Sequence, residues 1–134
     1  GRRYQVVGMF QTIDHLLDVA ATLAKLRTVI ADDGIFVADI VDVRAVYLQN
    51  WSLEAAIKID HPFSFMEGTT EAFLARAGFA VVRKWYHPDR QHVAYVCRPS
   101  VPDPQALPSP DWVDRFFWEA RFVQNAPAAR GGYV

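Results

Sequence analysis

Apolar residues fall in short runs separated by polar turns, and the spacing inside each run separates strands from helices. Residues 5–10, QVVGMF, are apolar on both alternations, the pattern of a strand buried on both faces. From 16 to 31 the spacing changes to threes and fours through Leu16, Ala20, Leu23, Leu26 or Arg27, and Ile30, which predicts an amphipathic helix. Asp14 is placed to cap that helix, with Asp18 as an early acid favourable to its dipole. The DDG at 32–34 stops it, and Gly34 is expected in the left-handed conformation past its end. Residues 35–41, IFVADIV, are again β-branched and apolar. Strand, helix and strand then make a βαβ unit with a right-handed crossover.

Residues 42–60 show no clear period and fit a helix, a lid or a short strand. Further on, Thr69 or Thr70 can cap a helix carrying Ala72, Phe73, Leu74 and Ala77 and ending at Gly78. AVVRKWY at 80–86 and HVAYVCR at 92–98 flank HPDRQ, where Pro88 and Asp89 suit the middle of a type I turn. That reads as an antiparallel hairpin. Five of the eight prolines lie between Pro99 and Pro110, so 99–109 is expected to be an extended linker. A last, aromatic-rich helix is expected to start with Ser109 as N-cap and Pro110 at its first position, and 110–134 comprises that helix and a frayed tail. The whole predicts an α/β fold, with two parallel strands and an antiparallel hairpin in one mixed sheet and helices on its faces.

Composition narrows the class. Of 134 residues 51% are hydrophobic and 22% charged, the balance of a globular domain able to bury a core. Fourteen basic against fifteen acidic side chains give a net charge of −1, which removes a general electrostatic case for nucleic acid or anionic membranes. Cys97 is the single cysteine, so no internal disulfide forms and a reducing cytoplasm is expected. No apolar run approaches the roughly 20 residues that span a bilayer. The N-terminal GRRYQVVG has neither a long apolar core nor a cleavage site of a signal peptide.

Taken in order, these segments resemble the C-terminal half of a class I S-adenosylmethionine-dependent methyltransferase. The family's fourth strand with its acid–His–Leu loop is matched by VVGMFQTIDHLLD, the following helix by VAATLAKLRTVIADDG, and the fifth strand by IFVADIVDV. HPFSFMEGTTEAFLARAGFAVV and HVAYVCRP match the aromatic loop, the helix ending in AGF and the closing hairpin. The resemblance covers residues 4–98, with Asp33-Gly34 standing where the family usually has two glycines. It implies a Rossmann-like fold, S-adenosylmethionine as cofactor and a small-molecule methyl acceptor. The family's first strand, glycine-rich turn and ribose-binding acid have no counterpart here. Either the chain is a fragment or the other half comes from another chain, and alone it is expected to bind the cofactor weakly and to be inactive.

The resemblance implies that Phe10, Gln11 and Thr12, just past the first strand, face the methionine end of the cofactor. Gln11 and Thr12 also fit a plain loop and helix cap. Imidazole titrates near neutral pH, so His15 can accept a proton from an acceptor; it equally suits a structural place in a first helical turn. Asp42, beyond the second strand, lies where substrates enter in the family, whereas Asp39 in mid-strand suits hydrogen-bonded structure. Asp60 and His61 before Pro62, with Phe63 and Phe65, make either a substrate-facing loop with an acid–imidazole pair or a hydrophobic anchor for the next helix.

No metal site is expected, because His15, His61, His87 and His92 lack the spacings of helical zinc motifs. No G-x-S-x-G elbow supports hydrolase chemistry. Trp112, Phe116, Phe117, Trp118 and Phe122 suit a helix packed on its own domain, or one covering a partner or the missing half. The leading reading is a methyltransferase, and the rival a non-catalytic interaction module working through that helix. The strand at 5–10 is expected to be an open edge that recruits a second copy or the missing half.

Overall fold

The computed structural model describes residues 1–107, 115–119 and 121. Strand β1 spans Tyr4–Met9, and a single 3-10 turn follows at Ile13–His15. Helix α1 (Val19–Val29) leads directly into β2 (Ile30–Val41). Helices α2 (Val43–Asn50), α3 (Leu53–Ala56) and α4 (Glu67–Arg76) precede the hairpin of β3 (Phe79–Tyr86) and β4 (His92–Pro99). The sheet order is β1-β2-β4-β3, with β1 and β2 parallel and the other neighbours antiparallel. The mixed α/β sheet expected from the sequence is therefore present, and β4 inserts between β2 and β3.

Local chemistry moves several boundaries. Asp18, not Asp14, caps α1, its carboxylate accepting from Ala21 N at 2.8 Å. Leu16 is extended, so a chain bend separates the Asp14 turn from the helix. The helix buries Val19 and Leu23, and it stops at Val29, before DDG. Gly34 belongs to β2 and does not take the left-handed conformation. It is needed for space: a Cβ there would lie 2.8 Å from Ile30 Cγ2 and 2.9 Å from Ala31 O. Residues 31–34 form the irregularity that lets Tyr4 pair with Ile30 while Val6 pairs with Ile35.

The ambiguous stretch 42–60 holds two helices. The first ends at Trp51, whose φ of 51° turns the chain out of α2. Helix α4 begins at Glu67, earlier than Thr69 or Thr70; Thr70 is buried and its hydroxyl donates to Met66 O. In the hairpin, Arg90 N donates to His87 O, so Pro88 and Asp89 do occupy the two middle positions of the turn. Residues 99–107 run back along the end of α4, held by Ser100 N to Gly78 O and Asp103 N to Ala75 O. Ser109, Pro110, Trp112, Phe122 and the tail lie outside the described residues.

The main core lies between one sheet face and α1 and α4, where Leu23, Phe36, Ala38, Phe65, Leu74, Phe79, Tyr95 and Cys97 are fully or almost fully buried. A second cluster joins Val43, Val46 and Tyr47 of α2 to Ala56, Met66 and Phe116. Phe116 sits edge-on to Tyr47 at 5.5 Å, and Glu119 pairs with Arg44 at 3.2 Å, so the helical 115–119 segment packs on its own domain. Burial of 5–10 on both faces is not found: Val6 is 66% exposed, and Tyr4 and Phe10 are also exposed. Among the described residues β1 has β2 on one side only, and no helix covers its outer part. No helix among the described residues is long and apolar enough to cross a membrane.

Candidate functional site

The ends of β1 and β2 lie side by side, because parallel pairing carries Met9 opposite Ala38. The segments that leave the two strands therefore meet in space, the usual place for ligands in open α/β sheets. After β1 the chain turns sharply: Gln11 has φ 46°, and its N–H donates to Asp39 Oδ1 at 2.6 Å. Asp39 thus holds the turn, as its mid-strand place suggests. Thr12 donates its hydroxyl to Phe10 O at 2.7 Å. Phe10 folds back over Gly8, where a Cβ would sit 2.7 Å from its ring, and the residue is 60% exposed.

Three residues past that turn, Asp14 is drawn inward by its neighbour Ile13, which is completely buried in the core. Asp14 itself is 6% exposed. Its Oδ2 lies 3.0 Å from His61 Nδ1, while Oδ1 is buried with no hydrogen-bond partner. His15 sits edge-on to His61, ring centres 4.3 Å apart. The sequence singles out His15 and His61 and pairs His61 with Asp60. The structure instead gives His61 to Asp14, with Asp60 Oδ1 4.0 Å from Nε2 and its side chain 73% exposed. Asp14, expected as a helix cap, thus belongs to the site. The signal for it in the sequence is an acid next to His15 with an apolar residue before it.

Asp42 stands apart from that pair. Its Oδ1 accepts from Ala45 N at 2.9 Å and its Oδ2 from Glu67 N at 3.1 Å, so one carboxylate caps both α2 and α4. Burial pushes its pKa up, against the lowering effect of those backbone N–H donors. Both oxygens are taken by backbone, which leaves no open face toward a substrate.

A cavity of about 330 Å³ opens beside the Asp14–His61 pair. Val41, Val43, Val46, Phe63 and Phe65 supply apolar wall, and Asn50, Lys58, Ser64, Gln91 and His92 supply polar groups. Phe63 therefore lines the cavity, whereas Asp60 lies on the outer loop with Ile57 and Ile59. A second hollow of about 230 Å³ lies between Gln11, Asp39 and the hairpin, lined also by Trp85, His87, Asp89, His92 and Ala94. At that rim Asp89 Oδ2 is 2.6 Å from His92 Nδ1 and 2.9 Å from His87 Nδ1. The hairpin histidines are thus tied to one acid and not simply solvated. A cavity of mixed apolar and polar lining with a buried acid–imidazole pair on its wall can hold a small molecule and take a proton from it.

A family model described as a methyltransferase domain matches residues 1–84. Among solved structures, the pyocyanin biosynthetic protein PhzM aligns with a TM-score of 0.58 at 19% identity, over 75% of this chain and 32% of its own. An S-adenosylmethionine-dependent methyltransferase from Clostridium acetobutylicum ATCC 824 gives 0.58 at 8% identity, over 75% of this chain and 60% of its own. The CcbJ methyltransferase from Streptomyces caelestis gives 0.58 at 13% identity, over 74% and 62%. At such identities the likeness is one of fold, and this chain spans less than two thirds of each of these proteins. No curated protein matches the sequence.

Proposed function

The chain belongs to the methyltransferase-domain family, and we propose that it forms the acceptor side of an S-adenosylmethionine-dependent methyltransferase acting on a small molecule. The observation that carries this reading is the buried Asp14–His61 pair, 3.0 Å apart, beside the 330 Å³ cavity. The open edge of β1 is where the remaining strands of the longer methyltransferases would join, which would cover Val6 and bring a cofactor-binding half against Phe10.

The residues at the end of β1 fit the cofactor. An exposed aromatic face suits a ligand cation, and the Phe10 ring offers one, held in place because Gly8 has no Cβ. Gln11 and Thr12 would flank it on a turn fixed by Asp39. When bound, S-adenosylmethionine supplies a methyl group on positively charged sulfur.

The chain's own residues would do the rest. With Asp14 Oδ2 3.0 Å from its Nδ1, His61 would carry its proton on that nitrogen and keep the Nε2 lone pair to take the proton from an acceptor O–H or N–H. His15, in edge contact, limits rotation of that ring. The valines and phenylalanines of the cavity hold the acceptor away from water, so little further machinery is needed beyond alignment.

The test is methyl transfer by the full-length protein against a panel of small phenols, amines and carboxylic acids, read by mass spectrometry. His61→Gln is expected to lower kcat about 100-fold or more with little change in KM. Unchanged kcat overturns the assignment of the base. Failure of the full-length protein to bind or consume the cofactor overturns the methyltransferase reading. That failure would leave the interaction-module reading, through the segment bearing exposed Phe117 and Trp118.

A further inference from the structure

Asp14, His15 and His61 bring one carboxylate and two imidazoles together, with ligating atoms that all lie within 4.8 Å of one another. We infer that these three side chains form a binding site for a divalent transition-metal ion of the zinc class. Two of them are sequence neighbours on a single turn and the third comes from the loop after α3, so spacing rules for one helix do not register the set. That is why no metal site is expected from the sequence.

The Asp14 carboxylate carries the argument. It is 6% exposed, its Oδ2 is matched to His61, and its Oδ1 is buried with no partner. A buried carboxylate oxygen left unmatched is costly, and a cation beside it removes that cost. The other two ligands are in reach: the His61 ring is mostly buried against Asp14, and exposed His15 has its ring against that of His61.

The donor set selects the ion. Two imidazoles with one carboxylate suit zinc, cobalt or nickel, whereas calcium and magnesium prefer sites made of oxygen alone. Ligands on zinc lie about 2.0–2.1 Å from the metal, so small ring rotations would bring the three groups to coordination distance. Three protein ligands leave a fourth position open, and Asp14 and His61 both line the 330 Å³ cavity. Metal and proton would compete for imidazole nitrogen, so a bound ion would block the base; only this consequence rests on the proposed function, and the site itself does not.

The hairpin set His87, Asp89 and His92 supplies an internal control, since it offers the same donors on the surface but every Asp89 oxygen there already has partners. The experiment is calorimetric titration of the chain with Zn²⁺, together with Co²⁺ titration read by visible absorption. Wild type is expected to bind one equivalent more tightly than about 10 µM, and His15→Ala to weaken it at least tenfold. His15 is exposed, so this variant should fold; Asp14→Asn is the second variant, with circular dichroism confirming its fold. His87→Ala is expected to leave the affinity unchanged. No binding at 100 µM Zn²⁺ overturns the inference, and so does affinity that depends on His87 but not on His15. Methyl transfer is not needed for any of these measurements, so failure here and failure of the proposed function are distinguishable.

Discussion

Asp42→Ala tests whether one buried carboxylate sets two helices against the sheet. The side chain accepts from Ala45 N at the start of α2 and from Glu67 N at the start of α4. Loss of a cap costs about 1 kcal/mol, within roughly 0.5–2. Removing both should therefore cost about 2 kcal/mol, and roughly 3 where the freed N–H groups stay buried. For a domain of this size that is a fall in Tm of roughly 6–12 °C, at about 3–4 °C per kcal/mol. Asp42→Asn keeps one acceptor oxygen but turns an NH₂ toward the other N–H, so about half of the loss is expected.

The pH dependence gives a sharper check. Burial raises the Asp42 pKa above its ordinary value near 4, so the folded state holds this proton more strongly than the unfolded chain does. The stability linked to it is fully present below the unfolded pKa and is lost as pH rises through the raised folded value. Asn has no such proton. The stability difference between wild type and Asp42→Asn should therefore shrink from pH 4 to pH 7 in urea unfolding followed by circular dichroism. A difference that grows over that range refutes the pKa argument. Asp42→Ala lying within 0.5 kcal/mol of wild type refutes the capping argument.

Cys97 is completely buried in β4, and burial pushes its thiol up to about 12. Ellman's reagent at pH 8 should leave the folded chain untouched and react with one equivalent once urea unfolds it. Gly78 has φ 82°, and a Cβ there would meet Ser100 O at 3.0 Å, so Gly78→Ala should cost about 1–2 kcal/mol in the same unfolding assay.

The elements are legible where one period dominates. The runs at 5–10, 35–41, 80–86 and 92–98 all appear as strands, and the AGF stop falls at the end of α4. Boundaries shift where a side chain from elsewhere decides them. Helix α4 starts at Glu67 because Asp42, on another element, supplies its acceptor, and nothing near Glu67 in sequence announces that. The candidate site is half legible. His15 and His61 stand out by residue type, but their common partner Asp14 is recognisable only when the 3-10 turn folds against the loop at 61–65. Adjacency in sequence gives His61 the more distant of its two acids, since Asp60 Oδ1 is 4.0 Å away on a largely exposed side chain and Asp14 Oδ2 is 3.0 Å away.

At the first strand, pattern and exposure disagree. Its alternation is apolar on both sides, as in a strand covered on both faces, yet Val6 and Tyr4 are open to solvent. In the described residues every ladder bond of β1 goes to β2, so its other edge offers free N–H and C=O groups beside apolar side chains. A surface of that kind is costly unless something pairs with it. The far strand β3 differs: outward positions from Arg83 to Tyr86 include Arg83 and Lys84, and Lys84 is tied to Glu67 and Glu71. Charge on β3 keeps that edge solvated, whereas β1 has none between Tyr4 and Phe10. The two edges of one sheet are thus chemically unlike, and it is the uncharged one that ends beside Phe10 and the Asp14 turn. Pairing there would extend the sheet and bring new backbone beside Phe10 and the Asp14 turn in a single step.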